Sequence, residues 1–309
     1  MRAICIGQAG NPDSLALMDV PVPAIDADEV LVRVKAIGVG LHDRWFIPRI
    51  ADSPYVIGIE ATGVIEKTGR AVAGYRPGDA VMFTSSLQPK GGVWAEFAAV
   101  RGEALIHIPA GLSFIQAAAL PVAGGTALEA MNLLNLKPGD SVFMAGASGA
   151  IGTLAIQLAR SLDCRVAASA SAKNHDYLRS LGAEKAVDYH DHDWVSRIRG
   201  WMPEGVDAAL AIQPGTGIDC LQAVRDGGRL VTVSGDQVPP QRGIHVAQVL
   251  PGPESRAQLA HLASEVASGH IHVEIEAVYP FERGIEALEK TETRHARGKI
   301  ILSMAQEPV

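Results

Sequence analysis

From residue 1 to about residue 115 the chain alternates short apolar runs with Pro/Gly punctuation, at 3–6, 29–36, 61–66, 80–83, 94–100 and 104–107. That spacing predicts the strands of a compact, mostly β domain. From Ser113 the period changes. Helical patterns over 113–120, 125–134, 151–162, 175–181 and 217–224 are interleaved with apolar strands at 142–145, 165–169, 186–189, 208–212, 230–233 and 244–249. A β-α-β-α rhythm of this kind calls for a parallel sheet covered on both faces, so the fold class is α/β. Helices over 256–268 and 281–289 and a strand at 299–302 close the chain, the strand returning to the N-terminal domain.

One junction carries chemistry. Ser141-Val-Phe-Met-Ala-Gly-Ala-Ser-Gly-Ala-Ile-Gly152 is an apolar run that ends in small residues and flows into a helical pattern. It reads as a strand, a tight turn and a helix N-terminus, the arrangement that cradles a dinucleotide pyrophosphate. Ala147, Gly149 and Gly152 take the three positions of G-x-G-x-x-G, and Ser148, Ala150 and Ile151 complete the phosphate-facing backbone. About 20 residues on, the end of the second strand meets the adenosine ribose, where Asp or Glu favours NAD and repels a 2′-phosphate. Here the segment is Ser169-Ala-Ser-Ala-Lys173, with no acid until Asp176. Ser169, Ser171 and Lys173 therefore favour NADP(H), unless Lys173 is only a surface charge on a solvated loop.

The motif at 145–152 with Leu136-Lys-Pro-Gly-Asp140 before it, an expected turn at Asp226-Gly-Gly-Arg-Leu-Val231 and the closing Arg297-Gly-Lys-Ile-Ile-Leu302 together resemble the medium-chain dehydrogenase/reductases. Gly58-Ile-Glu-Ala-Thr-Gly63 and Gly92-Val-Trp-Ala-Glu-Phe97 extend the resemblance over essentially the whole chain, closest to the zinc-independent quinone oxidoreductase branch. The resemblance implies a doubly wound parallel-sheet (Rossmann) domain at 121–252 and a mostly β, partly barrel-like catalytic domain at 1–120 and 253–309. It also implies a nicotinamide between the domains, near Thr126, the Val233-Ser234-Gly235 strand end and the loop from Val39 to Trp45. Tyr189 matches a family position near the adenosine phosphate, and Lys299 a family lysine reaching toward the cofactor. Gly40 stands where quinone reductases usually carry Asn, and Ala211 where relatives commonly carry Asp. Asp43 matches the family's acid.

The family's zinc enzymes need three protein ligands and an open position. Gly40 and Ile59 occupy the first two ligand positions, and the ten histidines show no ligand grouping, so no metal is expected. Unaided hydride transfer then requires an electron-poor acceptor, a quinone or a conjugated enal or enone, and relies on positioning. Asp43 is either the residue that orients water or substrate, or a cap of a local turn. Trp45, Tyr55 and Trp94 either line a flat-sided substrate cleft or belong to the core. The Pro/Gly/polar loop at 85–92 is a candidate lid.

Composition narrows the partners. A net charge of −7 with scattered Lys and Arg disfavours nucleic acid. Three separated cysteines fit a reducing cytoplasm rather than a disulfide framework. No signal-peptide pattern or membrane-spanning stretch is expected. The expected protein is a cytoplasmic NADPH-dependent reductase of a quinone or similar conjugated carbonyl, pairing as a homodimer through the strand at 244–250. Two alternatives stay open: an enone/enal reductase, and a catalytically weak NADPH-binding or sensor protein.

Overall fold

The computed structural model describes residues 1–8, 11, 13–44, 54–85, 88–250 and 256–304. The chain forms two compact units. One comprises Met1–Val122, Arg256–His270 and Ile275–Val309, the other Ala123–Ser255 and Ile271–Glu274.

The first unit is built on β1 (Arg2–Ile6), β2 (Leu15–Asp19), β3 (Glu29–Val39), β4 (Tyr55–Val56), β5 (Glu60–Thr68), β6 (Ala80–Thr84), β7 (Phe97–Arg101) and β8 (Leu105–His107). A short helix, α1 (Phe114–Ala117), is opened by a capping box in which Ser113 and Gln116 satisfy each other's backbone amides. Pro121 opens α2 (Pro121–Leu134), its missing N–H harmless at the first helical position.

The second unit begins within α2 and carries the six-stranded sheet. Its strands are β9 (Ser141–Ala145), β10 (Arg165–Ala170), β11 (Lys185–Asp188), β12 (Val206–Ala211), β13 (Val224–Thr232) and β14 (His245–Gln248). Between them run α3 (Ala150–Ser161), α4 (His175–Ser180), α5 (Trp194–Trp201) and α6 (Gly217–Ala223). The strand order is β11-β10-β9-β12-β13-β14 and every pairing is parallel. This is the doubly wound order whose direction reverses between β9 and β12, and ligands bind beyond the carboxyl ends at that reversal. All five residues of β9 are buried, as a strand covered on both faces requires.

The chain then adds α7 (Arg256–Ala267), β15 (Ile275–Pro280), α8 (Gly284–Glu292) and β16 (Lys299–Ser303) to the first unit. There β16 runs antiparallel to β3, so the closing strand does return to the N-terminal sheet. The mixed seven-stranded sheet has the order β15-β16-β3-β5-β6-β8, with β7 also on β3, while β2-β1-β4 form a separate three-stranded sheet. Ile4, Ile37, Phe83, Trp94, Phe281 and Leu302 lie in the core of this unit.

Five elements depart from the sequence expectation. The segment from Asp226 to Val231 is not a free turn but part of β13, which bends where Gly227 takes φ +68° and the register with β12 shifts. The strands β2, β4 and β15 and the helix α5 were not expected. In α5 only Trp194 and Ile198 are buried, Trp194 stacking on Phe143 with ring centroids 5.0 Å apart, and arginines fill the remaining turn. Two buried positions make a weak periodic signal.

At the amino ends of the central strands, Asp207 accepts from the amide and hydroxyl of Ser141, each at 2.8 Å, and from Arg225 Nε at 2.7 Å. Burial pushes this carboxyl up, but the Ser141 and Arg225 hydrogen bonds outweigh it and hold the group below the usual carboxylate range. Asp207→Ala strands the Ser141 amide at the base of β9. The expected cost is about 1–3 kcal/mol, read as a lower urea midpoint, with Asp207→Asn losing less.

Candidate functional site

The glycine turn sits at the carboxyl end of β9, on the reversal point of the sheet. Its left-handed residue is Gly146, φ +81°, rather than the position held by Ala147, whose backbone follows the ordinary right-handed side. A Cβ on Gly152 would stand 2.5 Å from the Ala147 Cα, so only glycine lets α3 pack this close to the strand end. Gly149 differs. Its φ is −78° and an added Cβ would meet nothing nearer than the Gly146 carbonyl at 3.9 Å, so neither backbone nor packing demands glycine there. The space it leaves is the space a phosphate needs. Gly149 caps α3 without a side-chain hydrogen bond, and the amides of the opening turn have no intrahelical acceptor. These features fit a dinucleotide pyrophosphate, with the positive end of α3 directed at it.

The same sheet edge gathers most of the expected cofactor residues. Ser169 is buried, its hydroxyl accepting from the Gly146 amide at 3.3 Å and its carbonyl from the Ala147 amide at 2.9 Å. Ser169 thus shapes the turn, and Ser171, partly exposed one step on, presents the more accessible hydroxyl. Lys173 is exposed and has no ion pair among the described residues. Tyr189, 45% exposed just past β11, lies against His190 with ring centroids 4.1 Å apart and the planes tilted by 33°. At the end of β13, the Val233 amide donates to the Ala211 carbonyl at 2.9 Å and the Ser234 hydroxyl donates to Ile212, while Gly235 turns back with φ +82°. Thr126 lies partly buried on α2. One polar side chain at this edge escaped the sequence reading: Gln213, whose Cγ fills the space a Cβ on Gly146 would take, 2.4 Å away.

The first unit holds a second constellation, assembled around Asp43. This carboxylate is fully buried in a short 3-10 turn, Leu41–Arg44, and its Oδ2 accepts from the Gly40 amide at 2.7 Å. Oδ1 has no hydrogen bond among the described residues and faces His42 Nε2 at 3.7 Å. Burial raises the Asp43 carboxyl to about 7, against the Gly40 amide and the charge of Lys299, which pull it down. Burial likewise lowers the His42 imidazole to about 3, assisted by Lys299. Gly40, where relatives place Asn, opens the room for this ring: a Cβ there would lie 2.3 Å from His42 Cε1. The His42 ring fills the space that a side chain at position 40 would take.

Lys299 is buried and donates to Glu60 Oε1, while Glu60 Oε2 accepts from the Val122 amide at 2.8 Å. The lysine expected to face the cofactor is thus committed to an internal ion pair. Glu60 was missed as a site residue although it stands alone between Ile59 and Ala61, an acid in an apolar run that signals a buried partner.

Of the expected substrate wall, Trp45 lies outside the described residues. Trp94 is a correction: it has no exposed surface, packs in the core against Gly58 and so belongs to the scaffold. Tyr55 is 5% exposed in β4, its hydroxyl donating to the Gln88 carbonyl at 2.8 Å. Among the described residues no three His, Cys, Asp or Glu gather to hold a metal ion, and Gly40 and Ile59 offer no donor atom. Nor is any described helix long and apolar enough to cross a membrane.

Comparison with known proteins agrees with this geometry. Residues 26–110 match the alcohol dehydrogenase GroES-like domain and residues 181–302 the zinc-binding dehydrogenase family. The chain is 31% identical to the 2-methylene-furan-3-one reductase of Solanum lycopersicum over 98% of its own length and 79% of that protein. It is equally 31% identical, with the same coverage, to the NADPH-dependent alkenal/one oxidoreductase, chloroplastic, of Arabidopsis thaliana. The quinone oxidoreductase from Coxiella burnetii superposes with a TM-score of 0.89 at 29% identity, covering 99% of each chain. Such kinship makes the protein an oxidoreductase that uses a nicotinamide cofactor, and with the sheet order and glycine turn it places the chain in the medium-chain dehydrogenase/reductase family, beside the zinc-independent quinone oxidoreductases.

Proposed function

We propose that this protein is an NADPH-dependent reductase that passes hydride to a quinone or similar conjugated carbonyl. The observation that carries the reading is the end of β10, where Ser171 and the unpaired Lys173 stand and no acid follows until Asp176. A phosphate monoester is attracted by such an edge, whereas the free ribose of NAD(H) finds no carboxylate from β10 to accept hydrogen bonds from its hydroxyls. The backbone amides at Ala147–Ile151 hold the pyrophosphate, Tyr189 flanks the adenosine phosphate, and Thr126 and Val233–Gly235 attend the nicotinamide half. Bound there, the cofactor supplies a hydride. Asp43, neutral over much of the range below pH 7, is the group we assign to orienting water or a substrate oxygen as the proton is delivered.

The enone/enal reading has its own support: the Solanum and Arabidopsis relatives are named for a methylene-furanone and for alkenals and enones. There hydride reaches the β carbon and a proton the α carbon, so both readings draw on the same edge and the same acid. Cofactor oxidation at 340 nm against a panel of quinones, enals and enones separates them, and tight NADPH binding without turnover would favour the sensor reading. NADPH is expected to exceed NADH in kcat/KM by at least about tenfold, and Lys173→Ala to erase about that factor through KM. An unchanged preference in Lys173→Ala removes the role assigned to that side chain.

The buried pair also sets a pH signature. Asp43 binds its proton more tightly folded than unfolded, so it lowers stability as pH rises from about 4 to about 7. His42 binds its proton less tightly folded, so it raises stability as pH rises from about 3 to its unfolded value near 6.5. The two slopes oppose each other over the shared window. Asp43→Asn is expected to expose the rising His42 slope and His42→Gln the falling Asp43 slope, each up to about 1.4 kcal/mol per pH unit in denaturant titrations.

We further assign dimerisation to β14, the edge strand of the parallel sheet, whose outer backbone groups have no strand partner among the described residues. Light scattering at micromolar concentration is expected to give twice the 32.5 kDa chain mass. A monomer would refute this assignment.

A further inference from the structure

The carboxylate missing from the end of β10 has a counterpart at the end of β11. Asp188 pairs in register with Ala170, so the loops that follow the two strands leave the sheet side by side. Asp188 Oδ2 accepts from the Ala172 amide at 3.0 Å, in the loop that carries Ser171 and Lys173. Its Oδ1 accepts from the His190 amide at 3.0 Å and from His190 Nδ1 at 2.7 Å, in the loop that carries Tyr189. One acid therefore ties together both segments that bear the proposed phosphate ligands. His190, held this way, lies tilted against the Tyr189 ring, and its own side chain is 64% exposed.

We propose that Asp188 is a positioning residue for the 2′-phosphate subsite, fixing the loops after β10 and β11 relative to each other so that Ser171, Lys173, Tyr189 and His190 meet one phosphate. The inference rests on the NADPH reading above and deepens it. A carboxylate at this edge ordinarily counts against a 2′-phosphate through repulsion. Here three N–H donors converge on it, and those hydrogen bonds, the His190 amide foremost, hold the acid below the usual carboxylate range against the effect of burial. Its lone pairs point at its own loops and its charge is spread over donors already in place. The acid that would choose NAD(H) if it faced the ribose thus serves the opposite choice by facing the backbone. With Nδ1–H given to Asp188, the second imidazole nitrogen of His190 is left for solvent or ligand.

The test compares the affinity of the whole protein for 2′,5′-ADP and for 5′-AMP by calorimetry, alongside KM and kcat for NADPH and NADH. In the unsubstituted protein 2′,5′-ADP is expected to bind the tighter. In Asp188→Ala that advantage is expected to shrink about tenfold, with KM for NADPH rising in step, kcat within about twofold and 5′-AMP affinity unchanged. Asp188→Asn keeps one acceptor oxygen and is expected to fall between the two. His190→Ala, which leaves the Ala172 tie intact, is expected to move 2′,5′-ADP in the same direction by less, and it serves if Asp188→Ala does not fold. Undiminished 2′,5′-ADP selectivity in these variants, or equal loss for both nucleotides, overturns the role of Asp188 while leaving the NADPH reading standing. No advantage of 2′,5′-ADP over 5′-AMP in the unsubstituted protein overturns both.

Discussion

The approach of Gly152 to the backbone of Ala147 is the constraint on which the nucleotide-binding unit depends. With 2.5 Å separating a would-be Cβ from the Ala147 Cα, any side chain at 152 would lever the start of α3 away from the end of β9. The helix would then lose the aim of its unsatisfied amides at the sheet's reversal point. Everything else at that edge is arranged around this seating: Gly146 turns the chain, Ser169 braces the turn from the neighbouring strand, and Gly149 leaves room where the phosphates come closest. The binding surface is chiefly backbone, which is why small residues rather than charged ones mark it.

The first unit solves a different problem, since it buries three ionisable side chains, Asp43, Glu60 and Lys299, in one place, with His42 beside them. Lys299 and Glu60 satisfy each other, and Val122 takes the remaining carboxylate oxygen. Asp43 has one oxygen on Gly40 and the other without a hydrogen bond, so desolvation decides its charge. A buried group that sits between two protonation states near neutral pH is poorly suited to holding a fold together and well suited to handling a proton. The ion pair nearby is the scaffold of this constellation, and Asp43 with His42 is its responsive part.

What the sequence made legible follows from how local each signal is. The turn at 145–152 is contiguous, so the strand, tight turn and helix start it forms could be read without knowing the fold. A parallel sheet covered on both faces was equally plain from alternating apolar strands and helices. By contrast, Glu60 and Lys299 lie 239 residues apart and only the pairing of β16 with β3, beside β5, brings them together. Trp94 was ambiguous because aromatic residues serve cores and clefts alike, and its burial against Gly58 decided the matter. The strand β2 escaped notice because it is an edge with Leu17 outward at 43% exposure, so its pattern does not alternate.

Asp188 and Asp43 show how little the identity of an acid says about its charge. Asp188 is partly exposed and receives three N–H donors, and it stays ionised because its hydrogen bonds favour the anion. Asp43 accepts a short hydrogen bond from the Gly40 amide within the core, and burial overrides the pull of the Gly40 and Ile59 backbone and draws a proton on. The first can organise a site for an anion because its own negative charge is already met. The second can take part in proton delivery because its charge is not. A sequence lists both simply as aspartate, and the division of labour between binding and chemistry emerges only from how far the donors brought to each carboxylate outweigh its burial.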